Sequence, residues 1–254
     1  MLEIIQLPVL NDNYIYLLHE PIANETAVVD PALAPPVIEE LRQQGWTLNF
    51  IFNTHHHGDH VGGNRELKQH SGCTVIGAKA DSRRIPGIDV GLADGDRFEL
   101  GAVSFEILET PGHTSGHIAF YSPEEKVLFC GDTLFAMGCG RLFEGTAEQM
   151  WQSLRTLREL PAQAQVYCAH EYTLTNGRFA LTVDPANAAL KTRMVEIQRL
   201  RSENRPTVPS TIALERATNP FFRADEPSLK AAMDMDKASA LEVFTEIRKR
   251  KDVF

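Results

Sequence analysis

The chain has 254 residues, 43% hydrophobic and 23% charged, which is the balance of a folded protein with room for one large α/β domain or a mid-sized domain and an appendage. A formal net charge of -9 argues against a general nucleic-acid or membrane-surface role. No run approaches the roughly 18 uninterrupted apolar residues of a membrane helix, and the N-terminus has neither a basic n-region nor an apolar h-region, so no secretion signal is expected.

The first three runs of strand character cover residues 2–7, 14–19 and 26–30, with turn chemistry at Asn11-Asp12-Asn13 and over residues 21–25. Residues 35–44 read as an amphipathic helix, with Val37, Ile38 and Leu41 at helical spacing and Gly45 placed as its cap. The short apolar run 48–53 reads as a buried strand that ends on a tight turn, Thr54-His55-His56-His57-Gly58-Asp59-His60, before residues 61–70 enter a helix. Four imidazoles and a carboxylate packed this closely make sense if a cation neutralises the carboxylate and takes neutral rings as ligands. His55 and His57, two apart in an extended turn, can point the same way, with His56 facing away from them. Asp59 and His60 would splay toward a second position, and so many ligands from one turn suit a two-metal site better than a single zinc.

Strands follow at residues 73–77, 97–100 and 103–108, the last two joined at Gly101, and then the stretch carrying His113 and His117. Residues 118–121 and 126–130 form a hairpin closed by Gly131-Asp132-Thr133. Thr146-Ala147-Glu148-Gln149 is a capping box opening a helix to about residue 160, and strand 165–169 runs into His170-Glu171-Tyr172. The histidine turn, His113, Asp132 and His170 each lie just past an apolar strand, which would gather them at one sheet edge as a single site.

After Tyr172 no strand alternation is visible. Asp184-Pro185 reads as a cap and first helical position opening a helix to about residue 204, with further helices over 228–235 and 237–251. The expected division is a catalytic domain over 1–173 and an α-helical domain over 174–254, the latter marginal alone and packed on the former. Cys73, Cys130, Cys139 and Cys168 form no C-x-x-C pair; apolar runs around three of them predict buried free thiols and a reducing, cytoplasmic setting.

With His113, Asp132 and His170, the motif Thr54–His60 resembles the metallo-β-lactamase superfamily, an αββα sandwich with a metal site at its edge. Within it the chain is similar to glyoxalase II (hydroxyacylglutathione hydrolase) over essentially its whole length, through Asn11–Tyr14, Gly138-Cys139-Gly140-Arg141, Phe143–Thr146, His170–Thr173, Pro206–Ser210, Asn219-Pro220-Phe221 and the terminal residues 248–254. The resemblance implies two divalent metals, zinc first, with iron and manganese also compatible. His55, His57 and His113 would hold one, Asp59, His60 and His170 the other, and Asp132 would bridge them. His117 has no ligand slot in this scheme and is expected to play a supporting or structural part.

The implied reaction is hydrolysis of S-D-lactoylglutathione by water activated between the ions, with Asp59 and Asp132 as the catalytic carboxylates and a thiolate leaving. Arg141, Phe143, Tyr172, Arg248 and Lys251 fall on the family's glutathione-contacting positions; Arg248 to Lys251 is also the one dense basic run in an acidic chain. Some members have lysine and tyrosine where this chain has Arg141 and Phe143, so the charge is kept and a hydroxyl is lost. The rival on the same fold is a mono-iron glutathione-persulfide dioxygenase, which the helical C-terminal segment and the Gly-Cys-Gly-Arg loop disfavour. A closed metal-dependent binding module is disfavoured because seven ligands for two ions leave room for water. The partner expected is thus a small glutathione thioester, with no nucleic acid and no membrane, and the protein is expected to be a monomer.

Overall fold

In the computed structural model, which describes all 254 residues, the β-branched and aromatic runs of the N-terminal half are strands. They lie in the first of two compact units, Met1–Thr110 with Ser115–Gly131. This unit contains β1 (Glu3–Val9), β2 (Asn13–Glu20), β3 (Glu25–Val29), α1 (Ala34–Gln44), β4 (Leu48–Phe52), α2 (Gly58–Val61), α3 (Asn64–Ser71), β5 (Thr74–Ala78), β6 (Val90–Leu92), β7 (Arg97–Leu100), β8 (Val103–Glu109), β9 (Ile118–Ser122) and β10 (Val127–Gly131). Strands β1 to β6 lie side by side in chain order, antiparallel from β1 to β3 and parallel from β3 to β6. Strands β7 to β10 form an antiparallel meander.

Alternation along the strands feeds two cores. Phe52 of β4 stacks on Phe120 of β9 (centroids 4.8 Å, 11°) and meets Phe105 of β8 edge-on (5.5 Å), while Tyr16 of β2 packs 5.5 Å from Phe129 of β10, so the two sheets face each other across aromatic rings. The intervening residues Ile15, Leu17, Val28 and Ile51 turn the other way, onto Val37 and Leu41 of α1 and Leu67 of α3. Helix α1 starts with proline in its first turn and stops at Gly45, whose φ of 71° lets its N–H return to the Leu41 carbonyl.

The second unit, Pro111–Thr114 with Asp132–Phe254, contains β11 (Leu134–Phe135), β12 (Gly138–Cys139), α4 (Ala147–Arg158), β13 (Gln165–Cys168), α5 (Thr173–Val183), α6 (Ala188–Ser202), β14 (Ser210–Thr211), α7 (Ile212–Thr218), α8 (Pro227–Ala232) and α9 (Ala240–Asp252). Ring contacts from Phe179 of α5 through Phe221 (6.3 Å) to Phe244 of α9 (5.8 Å) and Trp151 of α4 (5.8 Å) tie its helices together. The capping box at Thr146 forms as expected.

Several expectations need correction. The tight turn expected over Thr54–His60 ends in a short helix, α2, which carries Asp59 and His60. Asp184 closes a helix instead of opening one: its N–H donates to the Ala180 carbonyl (2.8 Å), and Asn187 caps α6, whose last residue is Ser202. The segment after Tyr172 does hold a strand, since β14 pairs antiparallel with β13. Helix α9 starts at Ala240, where Ser239 and Glu242 form a second capping box. All four cysteines are buried free thiols, and burial pushes Cys139 up to about 11 and Cys168 up to about 12. The aromatic layer carries the first unit, so Phe52→Ala should destabilise the protein by about 3–5 kcal/mol in urea unfolding; a change below about 1 kcal/mol would show that the layer is not where its stability resides.

Candidate metal centre

Parallel strands β3 and β4 end side by side, where the Asp30 N–H donates to the Phe52 carbonyl (2.9 Å). Asp30 organises the histidine turn that follows. Its buried carboxylate accepts from the Thr54 N–H (2.8 Å), the Thr54 hydroxyl (2.6 Å) and His60 Nδ1 (3.0 Å). With the hydroxyl proton given to Asp30, the Thr54 oxygen is left to accept from His55 Nδ1 (3.1 Å). The network therefore assigns the proton to Nδ1 of both rings and a lone pair to each Nε2. His55 Nε2 faces His57 Nδ1 at 3.1 Å, and His60 Nε2 faces Asp59 Oδ2 at 3.5 Å. Asn13 Nδ2 donates to that same oxygen (3.0 Å), which fixes the carboxylate's orientation.

His56 turns away from these rings, as expected, and meets the buried Asp81 carboxylate (3.1 Å), which also accepts from Arg84 Nε (3.0 Å). His117 is buried, bonds the Thr110 hydroxyl through Nδ1 (2.8 Å) and stacks 4.9 Å from His55. Its ring lies beneath that of His55, a candidate ligand.

The second unit brings His113, Asp132 and His170 together. His113 Nδ1 donates to the Arg141 carbonyl (2.9 Å), and its Nε2 stands 3.4 Å from Asp132 Oδ2. His170 Nε2 stands 3.4 Å from the other oxygen, Oδ1. A lone pair aimed at a carboxylate oxygen is repulsive unless positive charge lies between them, and 3.4 Å exceeds the roughly 2.7–2.9 Å of a charge-assisted N–H···O bond. The donor chemistry in both units, neutral imidazole nitrogen and carboxylate oxygen, is that of divalent metal binding.

The expected substrate residues all lie in the second unit, two of them against its candidate ligands. Phe143, 62% exposed, sets its ring 5.2 Å from that of His113, and Tyr172, 37% exposed, stacks flat on His170 at 4.8 Å and 1°. Arg141 is exposed. Arg248 is only 5% exposed; Nη1 donates to the Cys139 carbonyl (3.0 Å) and Nε to Asp252 (3.1 Å). Half-buried Lys251 holds Nζ 5.3 Å from the Phe179 ring and 5.1 Å from that of Phe254. Burial, then the positive charges of Arg248 and Arg141, push the Lys251 ammonium below its ordinary value.

Residues 10–170 match the metallo-beta-lactamase superfamily and residues 171–254 the hydroxyacylglutathione hydrolase C-terminus. A hydroxyacylglutathione hydrolase of Methylococcus capsulatus is 59% identical over 254 residues, covering 100% of this chain and 99% of that protein. One from Rhodospirillum rubrum is 52% identical over 253 residues, with 100% and 99% covered. The chain belongs to the hydroxyacylglutathione hydrolase family.

It is thus an enzyme built on the metallo-β-lactamase α/β sandwich. ETHE1 from Myxococcus xanthus shares the fold, with a TM-score of 0.68 at 24% identity over 98% of this chain and 97% of that one. TTHA1623, solved in a di-iron-bound form, matches with a TM-score of 0.61 at 25% identity over 86% of this chain and 99% of that one. Spacing alone did not single out Asp30 and Asn13, which bond the candidate ligands His60 and Asp59, or Asp81, which bonds His56. Asp30 had a legible signal as a carboxylate ending a strand, the same signal that marked Asp132. Asp30→Ala should weaken zinc binding about 10- to 100-fold in a chelator competition; unchanged affinity would mean that Asp30 does not orient the rings.

Proposed function

We propose that the protein is a two-metal thioesterase that hydrolyses S-D-lactoylglutathione, and 2-hydroxyacyl thioesters of glutathione generally, to the hydroxy acid and glutathione, as in methylglyoxal detoxification. The observation that carries this reading is the Asp132 carboxylate, with one oxygen facing His113 Nε2 and the other facing His170 Nε2. Only a carboxylate offers two anionic donors to two ions. In this reading His55, His57 and His113 hold one ion, Asp59, His60 and His170 the other, and Asp132 serves both. Zinc is the favoured metal, with iron and manganese compatible with the same donors; the di-iron form of TTHA1623 supports a pair of ions on this fold.

Bound there, the ions would lower the pKa of water toward about 7 and polarise the thioester carbonyl. The protein's own groups do the rest. Asp59, steadied by Asn13, orients the attacking water. The glutathione thiolate is a good leaving group and needs no strong acid from the chain. Phe143 and Tyr172 present aromatic faces beside the ligand histidines, and Arg141, Arg248 and Lys251 gather positive charge suited to the tripeptide's carboxylates. Residues 174–254 would supply much of the glutathione-binding surface. The match of residues 171–254 to the hydrolase C-terminus favours this reading over a persulfide dioxygenase. Four buried free thiols are compatible with a cytoplasmic enzyme.

The test is loss of thioester absorbance from S-D-lactoylglutathione with metal-quantified protein. Rapid hydrolysis is expected; oxygen uptake with glutathione persulfide and no hydrolysis would overturn the assignment. In the same assay Lys251→Ala should raise KM several-fold with little change in kcat. A kcat loss at unchanged KM would remove Lys251 from the substrate surface.

A further inference from the structure

The β11–β12 hairpin joins the two supports of the Asp132 site. It begins two residues after Asp132 and ends two before Arg141, whose carbonyl holds His113 Nδ1. Its two strands pair only at Leu134 with Cys139 and Phe135 with Gly138, and Met137 in the buried turn has a φ of 57°. So short a ladder cannot satisfy the turn's own backbone.

Side chains from the helical region supply what is missing. Asn176 of α5 donates from Nδ2 to the Ala136 carbonyl (3.2 Å). Asn219, just past α7, donates from Nδ2 to the carbonyls of Phe135 (3.1 Å) and Gly138 (3.0 Å). Glu215 of α7 accepts the Met137 N–H (2.8 Å), and Arg248 of α9 donates to the Cys139 carbonyl (3.0 Å). These groups are themselves fixed. Buried Glu215 also accepts from Arg193 Nη2 (2.7 Å), the Ser210 hydroxyl and Asn219 Nδ2 (3.0 Å), while Asn219 Oδ1 accepts from the Phe221 N–H (3.0 Å). A shift of the hairpin reaches the ligands directly. A Cβ on Gly140 would collide with the Asp132 carbonyl and come within 3.1 Å of His113 Nδ1.

We propose that Asn219, Glu215 and Arg248 are positioning residues for His113 and Asp132, acting through the Leu134–Cys139 hairpin. This rests on the reading of those two residues as metal ligands. The helical region then has a part in metal binding besides its part in holding substrate, and Arg248 serves both.

The test uses the full chain and reads zinc affinity by competition with a chromophoric chelator, alongside thermal unfolding of the metal-free protein. Asn219→Ala and Arg248→Lys should each weaken zinc binding about tenfold, whereas Lys251→Ala, on the same helix as Arg248, should leave it within about twofold. Wild-type affinity in Asn219→Ala with only a lowered unfolding temperature would overturn the proposal. If Asn219→Ala does not fold, wild-type affinity in Arg248→Lys overturns it instead. An equal loss in Lys251→Ala would also overturn it, because general loosening of α9 would then explain all three. Weakened zinc binding in the first two variants alone supports the proposal whether or not the protein hydrolyses S-D-lactoylglutathione, so its failure is separable from failure of the functional reading.

Discussion

Two imidazole nitrogens face the two oxygens of one buried carboxylate, at 3.4 Å each, and the proposed chemistry depends on this contact. With Nδ1 of His113 donating to the Arg141 carbonyl, a neutral His113 ring sets a lone pair against Asp132 in a medium that screens poorly unless a cation lies between them. The two ions of the proposed site would each take one of the anionic oxygens of Asp132. The far nitrogen of His113 must then keep its proton and have somewhere to give it, which the Arg141 carbonyl provides. The first unit repeats the logic around Asp30, whose carboxylate engages His60 directly and His55 through the Thr54 hydroxyl.

The fold makes this possible by putting candidate ligands at the ends of rigid elements. Strands β3 and β4 run parallel and end together, so Asp30 and Thr54 are neighbours although 24 residues separate them. The stacked phenylalanines between the two sheets fix the depth at which β4 ends. In the second unit the burden falls on a hairpin too short to hold itself, and helices α5, α7 and α9 complete it.

Much of this was legible in the sequence because strands with ligands at their ends leave a local trace. His55, His57, Asp59 and His60 stand together after an apolar run, and His113, Asp132 and His170 each follow one, so candidate ligands could be named from spacing and family resemblance together. The first-unit strands were legible from alternation, and capping chemistry marked Gly45 and Thr146. What could not be read were contacts set by distant partners. Asp184-Pro185 has the local chemistry of a helix start, yet α5 was already running and Asp184 ends it. Strand β14 exists only because β13 lies beside it. The roles of Asn219 and Glu215 depend on a hairpin some 80 residues earlier, and no local pattern carries that. Arg248 was legible as a charge but not as a buried one, because the carbonyl it holds belongs to Cys139.

The central claim is that one carboxylate serves two ions. Its most direct test is an anomalous-difference map from crystals of the zinc-loaded protein. Two peaks flanking the Asp132 carboxylate, one within bonding distance of His113 Nε2 and the other of His170 Nε2, at roughly 2.0–2.1 Å, are predicted. A single peak, or two peaks neither of which touches Asp132, would contradict the account.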